Sequence, residues 1–173
     1  MRFFGRKDKI KPYGKYRAIY LGGYSAFPSN GIKGSLLIYS KPLYKIHFES
    51  KKVDFEIPFS SLKEFKLVTE RMLKDRVAQS TRRKILADLS QGKKSKTETV
   101  DIFSDERKAG EYRDYDRLAY ILEKRGKKYG WKQYLLIEFV DDKSYFYNEA
   151  ALFDCYDKTV NAHMSIRNVR IGF

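Results

Sequence analysis

The chain has 173 residues, 42% of them apolar and 34% charged, with 12 Phe and 14 Tyr; this suits one domain with a proper core, or one domain carrying an insertion, and is short for two. The abundant aromatics argue against disorder, uncharged apolar runs such as residues 34–39 are far too short for a membrane-spanning helix, and the start Met1-Arg-Phe-Phe-Gly-Arg-Lys7 lacks the apolar region of a signal peptide. A cytoplasmic protein is predicted, with peripheral attachment to a membrane compatible with the same features.

The formal charge of +14 exceeds the magnitude of about 2–8 that suffices for solubility. It is unevenly placed: residues 1–65 hold 13 Lys+Arg against 5 Asp+Glu, residues 66–133 hold 19 against 11, and residues 134–173 hold 4 against 6. A field of this sign favours polyanions, meaning nucleic acid, anionic lipid surfaces or acidic proteins, without choosing among them.

Residues 1–15 read as a basic arm, with Arg6, Lys7, Lys9 and Lys15 among aromatic and aliphatic residues and with Pro12 and Gly14 opposing a helix. Such an arm can lie on phosphates, insert Phe3 and Phe4 into an anionic membrane, or simply fray. Strand formers over Tyr16 to Leu21, including the candidate binding residue Arg17, lead into a loop marked by Gly22-Gly23 and Pro28-Ser-Asn-Gly31. Further strands are predicted over residues 32–39 and 44–48, with His47 facing solvent or a polar groove. Val53-Asp-Phe-Glu-Ile57 alternates with period two, and a bend at Pro58 precedes another strand up to Val68. Residues 16–69 thus read as an antiparallel meander of four or five short strands.

The pattern changes at Thr69. Leu73, Val77, Ile85 and Leu89, widened by Met72 and Leu86, predict an amphipathic helix ended by Gly92. Its apolar stripe suits a core; its other face presents Arg71, Lys74, Arg82, Arg83 and Lys84, and Lys93 and Lys94 follow, a set that suits an anionic ligand. Residues 90–113 read as a polar loop with one brief strand at Thr99 to Phe103, and Asp114 opens a second helix through Leu118, Ile121 and Leu122 that closes before Trp131. The last block predicts a strand over Tyr134 to Val140, a polar turn at Asp141-Asp-Lys-Ser144, a strand Tyr145-Phe-Tyr147 and a helix capped by Asn148. Leu152, Phe153, Tyr156, Val160 and Met164 would form its buried face, and the lone Cys155 would be a small buried hydrophobe within it. Val169 to Phe173 adds a terminal strand or frays.

Two stretches carry a resemblance. Phe55-Glu-Ile-Pro-Phe-Ser-Ser-Leu-Lys-Glu-Phe65 is similar to the strand end and following strand of the pleckstrin-homology superfold, especially its GRAM-like and bacterial relatives. Leu135-Leu-Ile-Glu-Phe-Val-Asp-Asp142, with the hairpin and helix after it, resembles the end of those domains. The resemblance implies an α+β fold, an antiparallel barrel or sandwich over residues 16–173 with a C-terminal capping helix and a basic, largely helical insertion at residues 70–132. It does not extend to the phosphoinositide motif of lipid-binding members. Lys15 and Arg17 precede the first loop, and residues 22–34 contain only Lys33.

No chemistry for a reaction is legible. Gly22-Gly23 and Gly31-x-x-Gly34 lack the Lys-Ser/Thr of a phosphate loop, His47 and His163 are far apart, and one cysteine gives no zinc spacing. Asp141-Asp142 reads as a solvated turn, and Asp101, Asp105, Glu106, Asp114 and Asp116 follow no metal-site spacing. The expectation is a non-enzymatic module without metal or cofactor, docking on an anionic membrane surface or an acidic protein. The alternative is a nucleic-acid binder in which Tyr13, Tyr16, Tyr112, Tyr115, Tyr129 and Trp131 stack bases among Lys and Arg; the same aromatics also suit a core and its rim.

Overall fold

The computed structural model describes residues 9–28, 31–75, 115–125 and 132–173. Seven strands form one antiparallel sheet: β1 (Gly14–Gly22), β2 (Ile32–Tyr39), β3 (Lys45–Glu49), β4 (Asp54–Pro58), β5 (Leu62–Val68), β6 (Tyr134–Val140) and β7 (Asn148–Asp154). Their order across the sheet is β4-β3-β2-β1-β7-β6-β5, so the chain builds one half outward from β1 and the other inward to β7. Helices α1 (Tyr115–Arg125) and α2 (Thr159–Ile171) complete an α+β fold, and a further helix opens at residues 70–75. The meander expected from residues 16–69 is present, with a 3-10 turn at Phe59–Ser61 between β4 and β5.

Strand alternation divides the apolar residues between two cores. Ala18, Tyr20, Leu36, Ile38, Ile46, Phe48, Phe55, Ile57, Ile137 and Phe153 lie on one face, closed by Ala162, Ile166 and Val169 of α2. Tyr20 stands at its centre, with ring centroids 5.3 Å from Phe55, 5.7 Å from Phe153 and 5.8 Å from Phe48. On the other face Ile19, Leu21, Val68, Leu136, Ala150 and Leu152 meet Leu73 and the Leu118, Ile121 and Leu122 side chains of α1. The described helical parts of the insertion are therefore a structural layer of the sheet. Leu118, Ile121 and Leu122 are buried as their spacing predicts, and the helix predicted from residue 70 is described to residue 75. Gly34 permits the tight β2–β3 contact: a Cβ there would lie 2.4 Å from the Glu49 carbonyl oxygen and 2.7 Å from the Phe48 ring.

The end of the chain departs from its sequence pattern. Residues 145–147 belong to the hairpin turn, Asn148 opens β7 instead of capping a helix, and the final helix starts only at Thr159. The reason is burial on both sides: Ala150 and Leu152 face the helical layer while Ala151 and Phe153 face the inner core. A strand so placed is apolar without alternation, and a continuous apolar run is indistinguishable from a buried helix by period. In α2 the buried face is Thr159, Ala162, Ser165, Ile166 and Val169, of which only Ile166 and Val169 are sizeable hydrophobics. Val160 and Met164, expected inside, are exposed, as is Tyr156, and residues 169–171 remain helical. Cys155 is buried as expected, but in the connection after β7; burial, and next the Asp154 carboxylate, push its thiol up to about 12.

Leu118→Ala is expected to destabilise the protein by about 2–5 kcal/mol, because α1 fills a core. Urea unfolding followed by far-UV circular dichroism measures it, and a loss below about 0.5 kcal/mol, the range of surface substitutions, would mean that α1 is not packed on the sheet.

Candidate functional site

Register places three of the basic residues together. Lys15 lies opposite Leu37, Arg17 opposite Ser35 and Ile19 opposite Lys33, all on the face of β1 and β2 that continues into the α1 layer through Ile19. Side chains directly opposite in antiparallel strands share one face, so Lys15, Arg17 and Lys33 form an exposed cationic strip. None of the three is ion-paired among the described residues. Of the carboxylates in the same cross-strand rows, Glu49, opposite Ser35, forms no ion pair, whereas Asp154, opposite Ile19, is buried and lies 2.9 Å from Lys132 Nζ. Further across the sheet the cations are matched: Lys45 Nζ lies 2.6 Å from Glu56, and the half-buried His47 ring nitrogen lies 2.8 Å from Asp54.

The other sequence candidates are dispersed. Lys9 is exposed ahead of β1, and Arg71 is exposed at the opening of the 70–75 helix. Lys74 is exposed but partnered, with Nζ 2.8 Å from Glu70 and 3.9 Å from Glu123; the hydrogen bond to Glu70 chiefly holds its pKa above the ordinary lysine value. Arg6, Lys7, Arg82, Arg83, Lys84, Lys93, Lys94 and Trp131 lie outside the described residues, as does the brief strand expected at Thr99 to Phe103. Of the aromatics set among cations, Tyr13 is exposed, whereas Tyr16 turns its hydroxyl to Ser165 and to the Asn161 carbonyl, 3.2 Å away, against α2.

A second feature was hidden from sequence reading. The loop after β1 is sewn to the β6–β7 hairpin by carboxylates: the Tyr24 hydroxyl donates to Asp141, and the hydroxyls of Ser25 and Ser144 both donate to Glu149, which also accepts from the Ser25 amide at 3.1 Å. Glu149 is 1% exposed, so these donors replace the water that its charge would otherwise require. Burial, then the hydrogen bond and charge of Asp141, push the Tyr24 phenol well above the ordinary tyrosine range. Tyr24 and Phe27 also stop the open end of the inner core, with Tyr24 centroids 5.3 Å from Phe55 and 4.9 Å from Phe139. The described part of the β1–β2 loop is thus bonded to the carboxylates of Asp141 and Glu149.

Beyond this clamp the hairpin makes two successive turns. Ser144 donates its amide to the Asp141 carbonyl at 3.1 Å, Tyr147 donates to the Ser144 carbonyl at 3.3 Å, and Asp141 donates to the Tyr147 carbonyl at 2.9 Å. Tyr147 takes a left-handed φ of 62°, which ends the turn and prevents the strand expected at residues 145–147. Three consecutive aromatics are thereby left at an exposed tip, a disposition signalled in the sequence only by the absence of polar alternation. Among the described residues no group of three or more metal-ligating side chains converges, and Asp141 is occupied by Tyr24 and the Lys143 amide.

Comparison of the chain with protein-family models, curated proteins and solved structures returns no match.

The clamp has a pH signature. Tyr24 keeps its proton in the folded state and loses it near the ordinary tyrosine pKa, about 10, when unfolded. Its contribution is fully present below that pH and falls as pH rises toward the higher folded value. Thermal melts across pH 8 to 11 are expected to show a smaller alkaline loss of Tm in Tyr24→Phe than in the parent chain; equal slopes would exclude the clamp as its source.

Proposed function

We propose that the chain is a non-catalytic recruitment module of pleckstrin-homology type that docks on an anionic surface, with membrane headgroup phosphates as its ligand and an acidic protein as the alternative partner. The observation that carries this reading is the strip of Lys15, Arg17 and Lys33, exposed on adjacent strands without acidic partners among the described residues. Cations held on a rigid ladder meet an anionic surface without first ordering a loop, so less of the electrostatic attraction is offset by entropy. The seven-strand order with a helix following β7 supports the superfold assignment. Among the described residues no helix is long and apolar enough to cross a membrane, and the proposed contact is peripheral.

Recognition would come from charge and shape, not from the inositide pocket of the superfold, because the β1–β2 loop is closed by Asp141 and Glu149. The basic segment containing Arg82, Arg83, Lys84, Lys93 and Lys94 adds to the same field through its sequence charge. Nucleic acid, the other polyanion, is an outcome of the test.

Vesicles of zwitterionic lipid containing phosphatidylserine are expected to bind on the order of 100-fold more weakly in sedimentation when Lys15, Arg17 and Lys33 are changed to Gln, at about 1 kcal/mol per basic residue near the surface. Charge reversal at Arg82, Arg83 and Lys84 is expected to weaken binding further without unfolding the protein. Unchanged vesicle affinity in both variants, or anisotropy showing single-stranded DNA or RNA bound at physiological salt while vesicles are ignored, would overturn the membrane reading.

A further inference from the structure

We propose that the tip of the β6–β7 hairpin, Tyr145-Phe146-Tyr147, is a membrane-interface anchor that enters the headgroup region of an anionic bilayer while neighbouring lysines contact phosphates. This rests on the membrane reading above and adds to it an apolar element, which the cationic strip does not supply.

Three observations carry it. First, the tip is exposed: Tyr145, Phe146 and Tyr147 are 67%, 44% and 46% accessible. Second, it is held rigid in that state by the two turns and by the Glu149 and Asp141 clamp, so presenting it requires no unfolding. Third, its surroundings suit an anionic interface. Lys143 lies in the turn itself, and the loop clamped to it leads into β2 at Lys33. The β3–β4 turn with exposed Lys51 and Lys52 flanks the same end, as the Ser35–Glu49 pairing requires. Of the carboxylates at this end, Glu149 is buried, Asp141 accepts from Tyr24, and Asp54 pairs with His47; Asp142 and Glu49 remain as opposing charges.

The shape selects lipid over a folded partner. A convex point of three rings offers on the order of 300 Å² of accessible area, from the 150–250 Å² of each aromatic side chain, whereas a stable protein interface needs about 800 Å² from each side. A bilayer interface requires no such complementary surface. Tyrosine suits it, with the ring among acyl chains and the hydroxyl among headgroups, and basic residues around an apolar patch are the pattern of peripheral anchors.

The test places an environment-sensitive nitrobenzoxadiazole label on Phe146→Cys in the full chain. Labelling is selective, because Cys155 is buried with its thiol pushed up to about 12. Phosphatidylcholine vesicles with and without phosphatidylserine are then added, and sedimentation is measured on the same samples. The expected result is a blue-shifted, brighter emission with the anionic vesicles. Tyr145→Ser, Phe146→Ser and Tyr147→Asn together, the Asn chosen because it tolerates the left-handed backbone, are expected to reduce vesicle affinity by about tenfold or more with the melting curve unchanged. Sedimentation with unshifted emission overturns the tip proposal and leaves the cationic strip standing. Absence of sedimentation overturns both.

Discussion

Burial of β7 on both faces is the constraint on which the rest of the structure depends. Ala151 and Phe153 enter the inner core while Ala150 and Leu152 enter the layer under α1, so one strand joins two apolar cores and the two halves of the sheet. Without the helical layer, Ile19, Leu21, Leu136, Ala150 and Leu152 would form a continuous apolar face in water, a surface that monomeric proteins rarely expose. The described helical parts of the segment between β5 and β6 are thus part of what makes the sheet stable.

That constraint also decides what could be read from the sequence. Strand β4 is half-buried, and its alternation gave its position to within a residue; α1 announced itself through Leu118, Ile121 and Leu122 for the same reason of one buried face. Strand β7 lost its period because both faces are apolar, and Asn148, Glu149 and two alanines then imitate a capped helix. Tertiary burial overrode local propensity. The helix that does exist, α2, hides its inner face behind Ala162 and Ser165 and exposes Val160 and Met164, which reverses the stripe the sequence suggests.

The candidate site was legible in part, and again for a physical reason. Lys15 and Arg17 stand out from composition alone, but their grouping with Lys33 depends on the β1–β2 register, which no local pattern states. Long-range polar pairing is still less visible: Ser25 and Glu149 are 124 residues apart, and Tyr24 and Asp141 are 117 apart. A carboxylate such as Glu149 in a run of alanines reads as a helix N-terminus until the hydroxyls that satisfy it are brought beside it by the sheet.

The same pairing explains why the exposed aromatics need not be taken as a defect of packing. A hairpin tip without support would fold its rings back onto the nearest apolar surface, and here that surface, the open end of the inner core, is already stopped by Tyr24 and Phe27. The Asp141 and Glu149 carboxylates fix the loop that supplies this stopper to the base of the hairpin, so moving the loop away would take the Ser25 donors from the buried Glu149. The rings at residues 145–147 are therefore held outward by a filled core beneath and a left-handed residue at Tyr147 behind. Sustained exposure of apolar surface is costly in water, and it is retained most readily where another phase receives it; with Lys33, Lys51, Lys52 and Lys143 at the same end of the sheet, the phase with matching charge and softness is the proposed anionic bilayer interface.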